Sequence, residues 1–187
     1  MDIINTDIND IKIIKPKLFE DNRGSFFEAF NRLKLKELGL DIEFVQDNQS
    51  LSRHQHTIRG MHYQLNPMAQ SKLVRVIHGS IINFVIDIRI GSPTFGQHIK
   101  VELSAENKLM LFIPKGFANG LCTLKPDTEI IYKVDNYYSP EHDVSFAYND
   151  PKFNLDWPTD KPLLSERDAN APLYDAVPNN FNYGSDS

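Results

Sequence analysis

The segment from Ile58 to Arg75 places a histidine, a lysine and two arginines on one short path that also carries strand-forming residues. A pair of strands with His62 and Lys72 projecting from one surface would bring a titratable base and a positive charge to one cavity. That combination suits removal of a proton beside a carbonyl group, because the base takes the proton while the cation stabilises the developing enolate. The alternative is a half-buried histidine beside a surface lysine, and this segment alone leaves both interpretations open.

Three further segments carry charged or aromatic side chains where a cavity built from strands needs them. Residues 21–28 are predicted to form a turn followed by a strand. The polar residues 46–50 follow the apolar residues 42–45 and are predicted to lie at the end of a strand. Residues 132–140 combine three tyrosines with a lysine and an aspartate. Each segment also has a purely structural interpretation, as an ordinary turn or as tyrosines that pack against a sheet.

A metal site is the competing interpretation of the histidines. His54 and His56 have the His-x-His spacing of a metal-binding strand, and a catalytic site needs a third protein ligand close by. After His56 the first glutamate is Glu102, and His62 is better placed to act as a base. The sequence therefore predicts no metal and no other cofactor, with His54 and His56 in a polar loop.

The amino-acid composition limits which class of protein this chain can be. The 187 residues are 41% hydrophobic and 24% charged, which is typical of one globular domain with a real core. The net charge of -5 gives no general attraction to nucleic acid or to anionic lipid, so neither is an expected partner. No apolar run is long enough to span a membrane and no signal peptide is visible. The single cysteine, Cys122, lies in an apolar strand-like run, and the prediction is a cytoplasmic protein with an inert buried thiol.

The arrangement of the elements favours an all-β fold. Alternating or β-branched runs recur every 8 to 14 residues with turn residues between them and no long helix, which predicts an antiparallel sandwich or barrel. Predicted strands cover residues 81–90, 98–103, 109–113, 121–124 and 129–134.

One early helix is predicted, because Asn31 can cap it, Leu33, Leu35 and Leu38 give partial apolar periodicity, and Gly39 suits its end. The whole chain, 1–187, is expected to form a single domain with its core at about 8–170. Short helices or irregular structure are expected after residue 158, and a C-terminal tail at about 175–187 that frays over its last few residues.

Taken together, eight motifs in a fixed order make the chain resemble the nucleotide-sugar 3,5-epimerases, from about Ile11 to Asp168. Among them are Arg-Gly-Met-His-Tyr and Pro-Lys-Gly-Phe-Ala-Asn-Gly. The motifs lie at Asp21–Glu28, Gln46–Ser50, Ile58–Gln64, Gln70–Arg75, Asp87–Gly96, Pro114–Gly120, Tyr132–Glu141 and Leu164–Asp168.

The resemblance implies a metal-free, cupin-type jelly-roll sandwich or barrel that forms a homodimer, binds a nucleotide-diphosphate sugar and epimerises C3 and C5 of a dTDP-linked 4-keto-6-deoxyhexose through an enolate. It implies that His62 is the base, that Asp168 orients it, that Tyr132 is the proton donor and that Lys72 neighbours the substrate oxygen. The implied substrate-binding residues are Arg23, Phe26, Glu28, Gln46, Asp47, Asn48, Gln49, Arg59, Lys72, Asn119, Tyr138, Asp143 and Arg167.

The chain departs from the pattern of similar enzymes at a few positions. Asn119 stands where a histidine is usual, Asp143 replaces a glutamate, and Ser80 and Asn83 replace acidic residues. Asn119 is expected to donate a hydrogen bond to the sugar but cannot carry a proton near neutral pH. Three alternatives therefore stay open: a mono-epimerase acting at C3 or C5 or an epimerase of another nucleotide-linked 4-keto sugar, a metal-dependent cupin, and a non-catalytic sugar-binding jelly roll.

Overall fold

A computed structural model of the chain describes residues 1–184. The strands are β1 (Asp2–Asn5), β2 (Lys12–Lys15), β3 (Phe19–Asp21), β4 (Gly24–Phe26), β5 (Gln46–Ser52), β6 (Ile58–Gln64), β7 (Lys72–His78), β8 (Ser80–Asp87), β9 (His98–Ser104), β10 (Met110–Ile113), β11 (Phe117–Thr123), β12 (Thr128–Val134) and β13 (Asp143–Ser145). The helices are α1 (Arg32–Glu37), α2 (Glu166–Ala169) and a 3₁₀ turn (Tyr174–Ala176).

Two antiparallel sheets form the body of the molecule. The first has the order β1-β2-β10-β7-β12-β5, and the second has the order β13-β6-β11-β8-β9. Neighbours in each sheet are mostly distant in the chain, as in a jelly roll, whereas β3 and β4 form a separate hairpin. The predicted all-β class and cupin-type jelly roll are confirmed, and the helices are short and peripheral as expected.

The core fills the space between the two sheets. Period-two alternation turns every second side chain of each strand inward, so β7 contributes Val74 and Val76 while β8 contributes Ile81 and Val85. These side chains are at most 5% exposed.

Helix α1 confirms the early helix prediction. The side chain of Asn31 accepts a hydrogen bond from the backbone N–H of Lys34, and the helix buries Leu35 against the outer face of the first sheet. Gly39 follows the helix with a φ of 87°, a conformation that glycine adopts without strain.

Asp87 explains why β8 ends earlier than the strand predicted over 81–90. Its fully buried carboxylate accepts hydrogen bonds from the backbone N–H and side chain of Arg89 and from the hydroxyls of Ser92 and Thr94. These bonds close a turn directly after Asp87, so the apolar residues beyond it cannot continue the ladder.

The C-terminal segment is more ordered than the predicted tail. Tyr174 and Phe181 are buried against the outer face of the second sheet, where they pack with Phe146. Asn182 forms a parallel bridge with Ile90. Tyr174 and Phe181 thus anchor the chain at both ends of residues 175–180, and residues 185–187, part of the segment expected to fray, lie outside the described range.

Candidate active site

A cavity of about 290 Å³ lies between the two sheets. Both sheets and the segment around α2 contribute to its wall, which mixes charged, polar and aliphatic side chains. The lining residues are Ser50, Arg59, His62, Lys72, Val74, Asn119, Leu121, Ile130, Tyr132, Ser165, Arg167 and Asp168. The volume is close to the lower end of the range for small-molecule sites, about 300 Å³.

A β-bulge in β6 brings Arg59 and His62 to the same wall. Two residues three positions apart normally face opposite sides of a strand. Here Asn119 pairs with His62 while Leu121 pairs with Arg59. Between these two pairs β6 therefore contains one more residue than β11, which is the definition of a bulge. Gly60 sits within the bulge at a φ of 128°, and an added Cβ there would lie 2.5 Å from the Cα of Gly120. The glycines thus allow the approach that aligns the two side chains.

His62 is held by a buried carboxylate. Its Nε2 lies 2.6 Å from Oδ1 of Asp168, whose side chain is 4% exposed while that of His62 is 30% exposed. Burial by itself raises the pKa of Asp168, but the hydrogen bond and charge of His62, together with the hydroxyl of Ser165, hold it below its usual value. Asp168 is therefore ionised at neutral pH and fixes the imidazole, leaving Nδ1 as the ring nitrogen that can exchange a proton.

Local structure explains how Asp168, which lies 106 residues after His62 in the chain, reaches that histidine. Ser165 caps α2 by accepting a hydrogen bond from the backbone N–H of Asp168, which sets the direction of that side chain. Just before the helix, Leu163 exchanges backbone hydrogen bonds with His56 and Ile58 at the start of β6. The chain is thus tied to the histidine-bearing strand immediately before the aspartate.

Lys72 and Tyr132 line the opposite wall, on β7 and β12 of the first sheet. The expected strand pair that carries both His62 and Lys72 on one surface does not form, because β6 and β7 belong to different sheets. Burial lowers the pKa of Lys72 to about 8, against an opposing effect of Asp143. Burial also raises the pKa of Tyr132, with a further contribution from Asp143 that outweighs the influence of Arg59. At neutral pH the cavity therefore contains a largely protonated amine and a protonated phenol, facing a histidine from the other sheet.

Asp143 organises the rim of the cavity. Its Oδ2 accepts a hydrogen bond of 2.6 Å from Nη1 of Arg167 and one of 3.2 Å from the hydroxyl of Tyr138. Tyr138 is exposed, so its ring is free to stack against a planar group at the rim. Arg59, which donates to Ser52 and to the backbone carbonyl of Leu51, adds a second guanidinium nearby.

The residues 46–49 divide between two faces, which corrects two points of the sequence analysis. They do not follow a strand but form β5 itself, since 42–45 are irregular. Along β5, Gln46 and Asn48 are half-buried and hydrogen-bond each other, on the same side as the cavity-lining Ser50. Asp47 and Gln49 are exposed on the other side, where they bind Lys133 and Glu129. Within one chain, these two cannot line the cavity because their strand alternates.

Arg75 is another basic residue that alternation separates from the cavity. Lys72 and Val74 face inward from β7, whereas Arg75 lies on the outer face with Asp47 and Phe30. The sequence segment that suggested the site therefore supplies three of its four basic residues, Arg59, His62 and Lys72, to the cavity.

Arg23, Phe26 and Glu28 lie outside the cavity of their own chain. Arg23 is 85% exposed and pairs with Asp21 in the β3–β4 turn, and Phe26 is 68% exposed. Glu28 forms an ion pair with Lys34 of α1. The hairpin thus presents a guanidinium and an aromatic ring to its surroundings rather than to its own site.

Several lining residues were not singled out by the sequence analysis. Val74, Leu121 and Ile130 form the aliphatic part of the wall, and Ser50 and Ser165 add hydroxyls. Period-two alternation with Lys72 and Tyr132 could have found Val74 and Ile130, since each is two residues away on the same strand. Ser165 belongs to the last motif, and its role follows from the cap that it forms on α2.

No grouping of three or more His, Cys, Asp or Glu side chains suited to a metal ion occurs among residues 1–184. His54 and His56 lie in the turn between β5 and β6, as predicted for polar loop histidines. Over the same range, none of the helices has both the length and the apolar character needed to cross a membrane.

Comparison with known proteins identifies the family. A family model described as dTDP-4-dehydrorhamnose 3,5-epimerase matches residues 5–176. The enzyme of that name from Salmonella typhimurium is 48% identical over 177 residues, covering 94% of this chain and 96% of its own.

Solved structures give the same result. One from Bacillus anthracis, a dTDP-4-dehydrorhamnose 3,5-epimerase with TDP and PPi bound, is 46% identical with a TM-score of 0.90 and covers 92% of this chain and 98% of its own. A dTDP-6-deoxy-D-glucose-3,5-epimerase from Legionella pneumophila, in complex with dTDP-4-keto-L-rhamnose, is 45% identical with a TM-score of 0.90 and covers 95% and 94%. Sequence and fold agree over nearly the whole length, and the chain belongs to the dTDP-4-dehydrorhamnose 3,5-epimerase family.

Proposed function

We propose that this epimerase converts dTDP-4-dehydro-6-deoxyglucose into dTDP-4-dehydrorhamnose by inverting C3 and C5 of the sugar. The observation that carries the proposal is the placement of the His62–Asp168 pair on one wall of a cavity and of Tyr132 and Lys72 on the opposite wall. Both C3 and C5 flank the C4 carbonyl, so each carries an acidified proton. Inversion removes that proton from one face and returns a proton to the other.

His62 is assigned the role of base. The imidazole takes the proton from the carbon, the C–H electron pair moves into a C=C bond, and the carbonyl becomes an enolate. Tyr132 then gives its phenolic proton to the same carbon from the other side, the carbonyl re-forms, and solvent restores both groups. The ionised Asp168 supports this role because it stabilises the imidazolium that forms.

Lys72 is assigned to the enolate oxygen. A positive charge in a half-buried position acts more strongly than the same charge in water, and one such fixed contact is worth about 3–4 kcal/mol in comparable enzymes. Arg59 and Arg167, both at the cavity, are suited to the diphosphate, since guanidinium groups bind phosphate oxygens in pairs. Tyr138 supplies a ring for the base of the nucleotide.

We further propose that the protein works as a homodimer in which the β3–β4 hairpin reaches the cavity of the partner subunit. The exposure of Phe26 and Arg23 supports this, because an aromatic ring and a guanidinium left in solvent match the needs of a nucleotide diphosphate. A cytoplasmic location also stays a prediction, in keeping with the reduced thiol of Cys122.

The test is incubation of the protein with dTDP-4-dehydro-6-deoxyglucose in deuterated water, followed by NMR. Deuterium is expected at both C3 and C5. Incorporation at C3 alone after long incubation would instead favour the mono-epimerase, which Asn119 keeps open as an alternative. Absence of exchange despite binding would favour the non-catalytic sugar-binding jelly roll.

The metal-free mechanism has its own test. Dialysis against a strong chelator is expected to leave the exchange rate unchanged, because each step above is assigned to a side chain. Loss of activity that one added metal restores would support the metal-dependent cupin and contradict this mechanism.

A further inference from the structure

The side-chain amide of Asn119 has a defined orientation. Its Nδ2 donates to Oδ1 of Asn83 at 2.5 Å and to the backbone carbonyl of Phe84 at 3.3 Å. The carbonyl of Phe84 can only accept, so the nitrogen end of the amide must face β8. Both N–H groups are used there, which leaves Oδ1 as the polar atom that Asn119 can offer to the cavity.

Asn83 is the residue that holds this orientation, although its buried position lowers the stability of the fold. It lies on β8 with no exposed surface, between the core residues Ile81 and Val85. Among the side chains of residues 1–184, its Nδ2 is the buried nitrogen or oxygen atom without a hydrogen-bond partner. A buried unpaired donor destabilises a fold, so an apolar residue would suit this place better for stability alone. The amide of Asn83 is thus better explained by what its oxygen does for Asn119.

The neighbour of Asn119 in the other direction is the proposed base. Asn119 pairs with His62 across β11 and β6, and side chains paired in this way have Cβ atoms about 5 Å apart on one face of the sheet. An acceptor therefore lies beside the group that removes the proton. Of the two carbons that flank the carbonyl, C3 bears a hydroxyl whereas C5 bears the ring oxygen and a methyl group.

We propose that Asn119 accepts a hydrogen bond from the C3 hydroxyl of the sugar, and that Asn83 is the positioning residue that keeps the acceptor turned toward it. This inference rests on the proposed function and reverses the donor role expected for Asn119 from the sequence. It makes the pair a determinant of specificity, since the site then selects a sugar that has a donor at C3 and rejects one that has only an acceptor there.

Binding of unreactive ligands tests the inference without turnover. The probes are dTDP-glucose, whose C3 configuration matches that of the substrate, and its 3-deoxy and 3-deoxy-3-fluoro analogues, measured by calorimetric titration. The wild-type protein is expected to bind dTDP-glucose about 3- to 10-fold more tightly than either analogue, the usual effect of one neutral hydrogen bond. The 3-deoxy-3-fluoro analogue should bind no more tightly than the 3-deoxy analogue, because fluorine cannot donate a hydrogen bond.

Variants separate positioning from packing. In Asn119→Ala the preference for the hydroxyl should disappear, and in Asn83→Leu it should fall because the amide of Asn119 can turn. Asn83→Asp keeps an acceptor for Asn119 and should retain the preference. Val101→Ala is the matched control, since Val101 lies opposite Asn83 on β9 and its truncation removes only apolar contacts.

Four results would overturn the inference. They are equal binding of the hydroxyl and deoxy ligands by the wild type, recovery of affinity with the fluoro analogue, an unchanged preference in Asn119→Ala, and an equal loss of preference in Val101→Ala. If the wild type bound none of the nucleotide sugars, the proposed function itself would fail, and this inference with it.

Discussion

His62 and Tyr132 are placed on strands of different sheets that face one cavity, so their roles can be separated experimentally. Formation of the enolate needs only the base, whereas inversion needs both groups. The two side chains therefore differ in what their removal does to proton exchange and to product formation.

We expect His62→Ala to abolish exchange at both carbons, because His62 is the base that Asp168 orients toward the cavity. Tyr132→Phe should still allow some exchange from the original face while slowing inversion by about 10²–10⁴-fold, the usual worth of a general acid. NMR in deuterated water reports exchange and product separately. Equal loss of exchange in both variants would show that the roles are misassigned.

Lys72 should set the alkaline limit of activity. Its amine carries the charge below its pKa of about 8 and loses it as the pH rises through that value, so kcat/KM should fall above about pH 8. Lys72→Met should be about 10²–10³-fold slower at pH 7. In Lys72→Arg, the remaining activity should persist to higher pH, because a guanidinium stays protonated.

Lys133→Arg provides the control for this pH profile, since Lys133 lies on the outer face of β12 and pairs with Asp47. Its alkaline limit should match that of the wild type. An unchanged limit in Lys72→Arg would instead assign the loss of activity to another group.

At the level of elements, the bulge in β6 is the feature that brings Arg59 and His62 to the same side of the second sheet. Without the extra residue, Arg59 and His62 would face opposite sides of the second sheet. The bulge depends on a close approach of two glycines, Gly60 on β6 and Gly120 on β11, and a side chain on Gly60 would meet backbone atoms that cannot move aside.

Gly60→Ala is therefore expected to lower the free energy of unfolding by roughly 2–4 kcal/mol and to reduce activity further than that loss explains. The added Cβ would lie 2.8 Å from the carbonyl oxygen of Asn119 and strain the φ of 128°. Gly96→Ala is the matched control: at a φ of 78° with open space around it, it should cost only about 1 kcal/mol and leave activity intact. Urea denaturation and exchange rates compare the two, and equal effects would contradict the steric argument.

At the scale of the whole molecule, the β3–β4 hairpin is the part that a single chain leaves unexplained. Phe19 and Phe26 contact each other but remain more than half exposed, and within residues 1–184 Arg23 pairs with its neighbour Asp21 alone. A dimer in which the hairpin covers the partner's cavity accounts for these exposed groups and protects a short strand edge.

Mixed dimers provide the test. Arg23→Ala and His62→Ala should each be strongly impaired, the first by about 10- to 100-fold in binding through loss of a charged hydrogen bond. If the hairpin acts on the partner, a mixed dimer purified with two different tags regains one complete site and about half of the activity per dimer. A mixed dimer without recovery would place Arg23 in its own chain's site, and a monomer in sedimentation at micromolar concentration would exclude the arrangement.

The sequence by itself determined the fold class, most strand positions, helix α1 and the membership of His62, Lys72, Tyr132, Asn119 and Asp168 in one set. These features depend on local patterns: period-two alternation, turn residues, a capping asparagine and motifs whose order is fixed along the chain. Such patterns act over a few residues, so the order of the residues is enough to reveal them.

Only the tertiary structure decided which of the candidate residues share the cavity. The bulge at Gly60, the division of residues 46–49 between two faces and the outward position of Arg75 all depend on register between strands that are distant in the chain. So does the direction of Asn119, which a partner 36 residues away on another strand controls. A shift of one residue in register exchanges the inner and outer faces of a strand, and local sequence patterns do not encode that register.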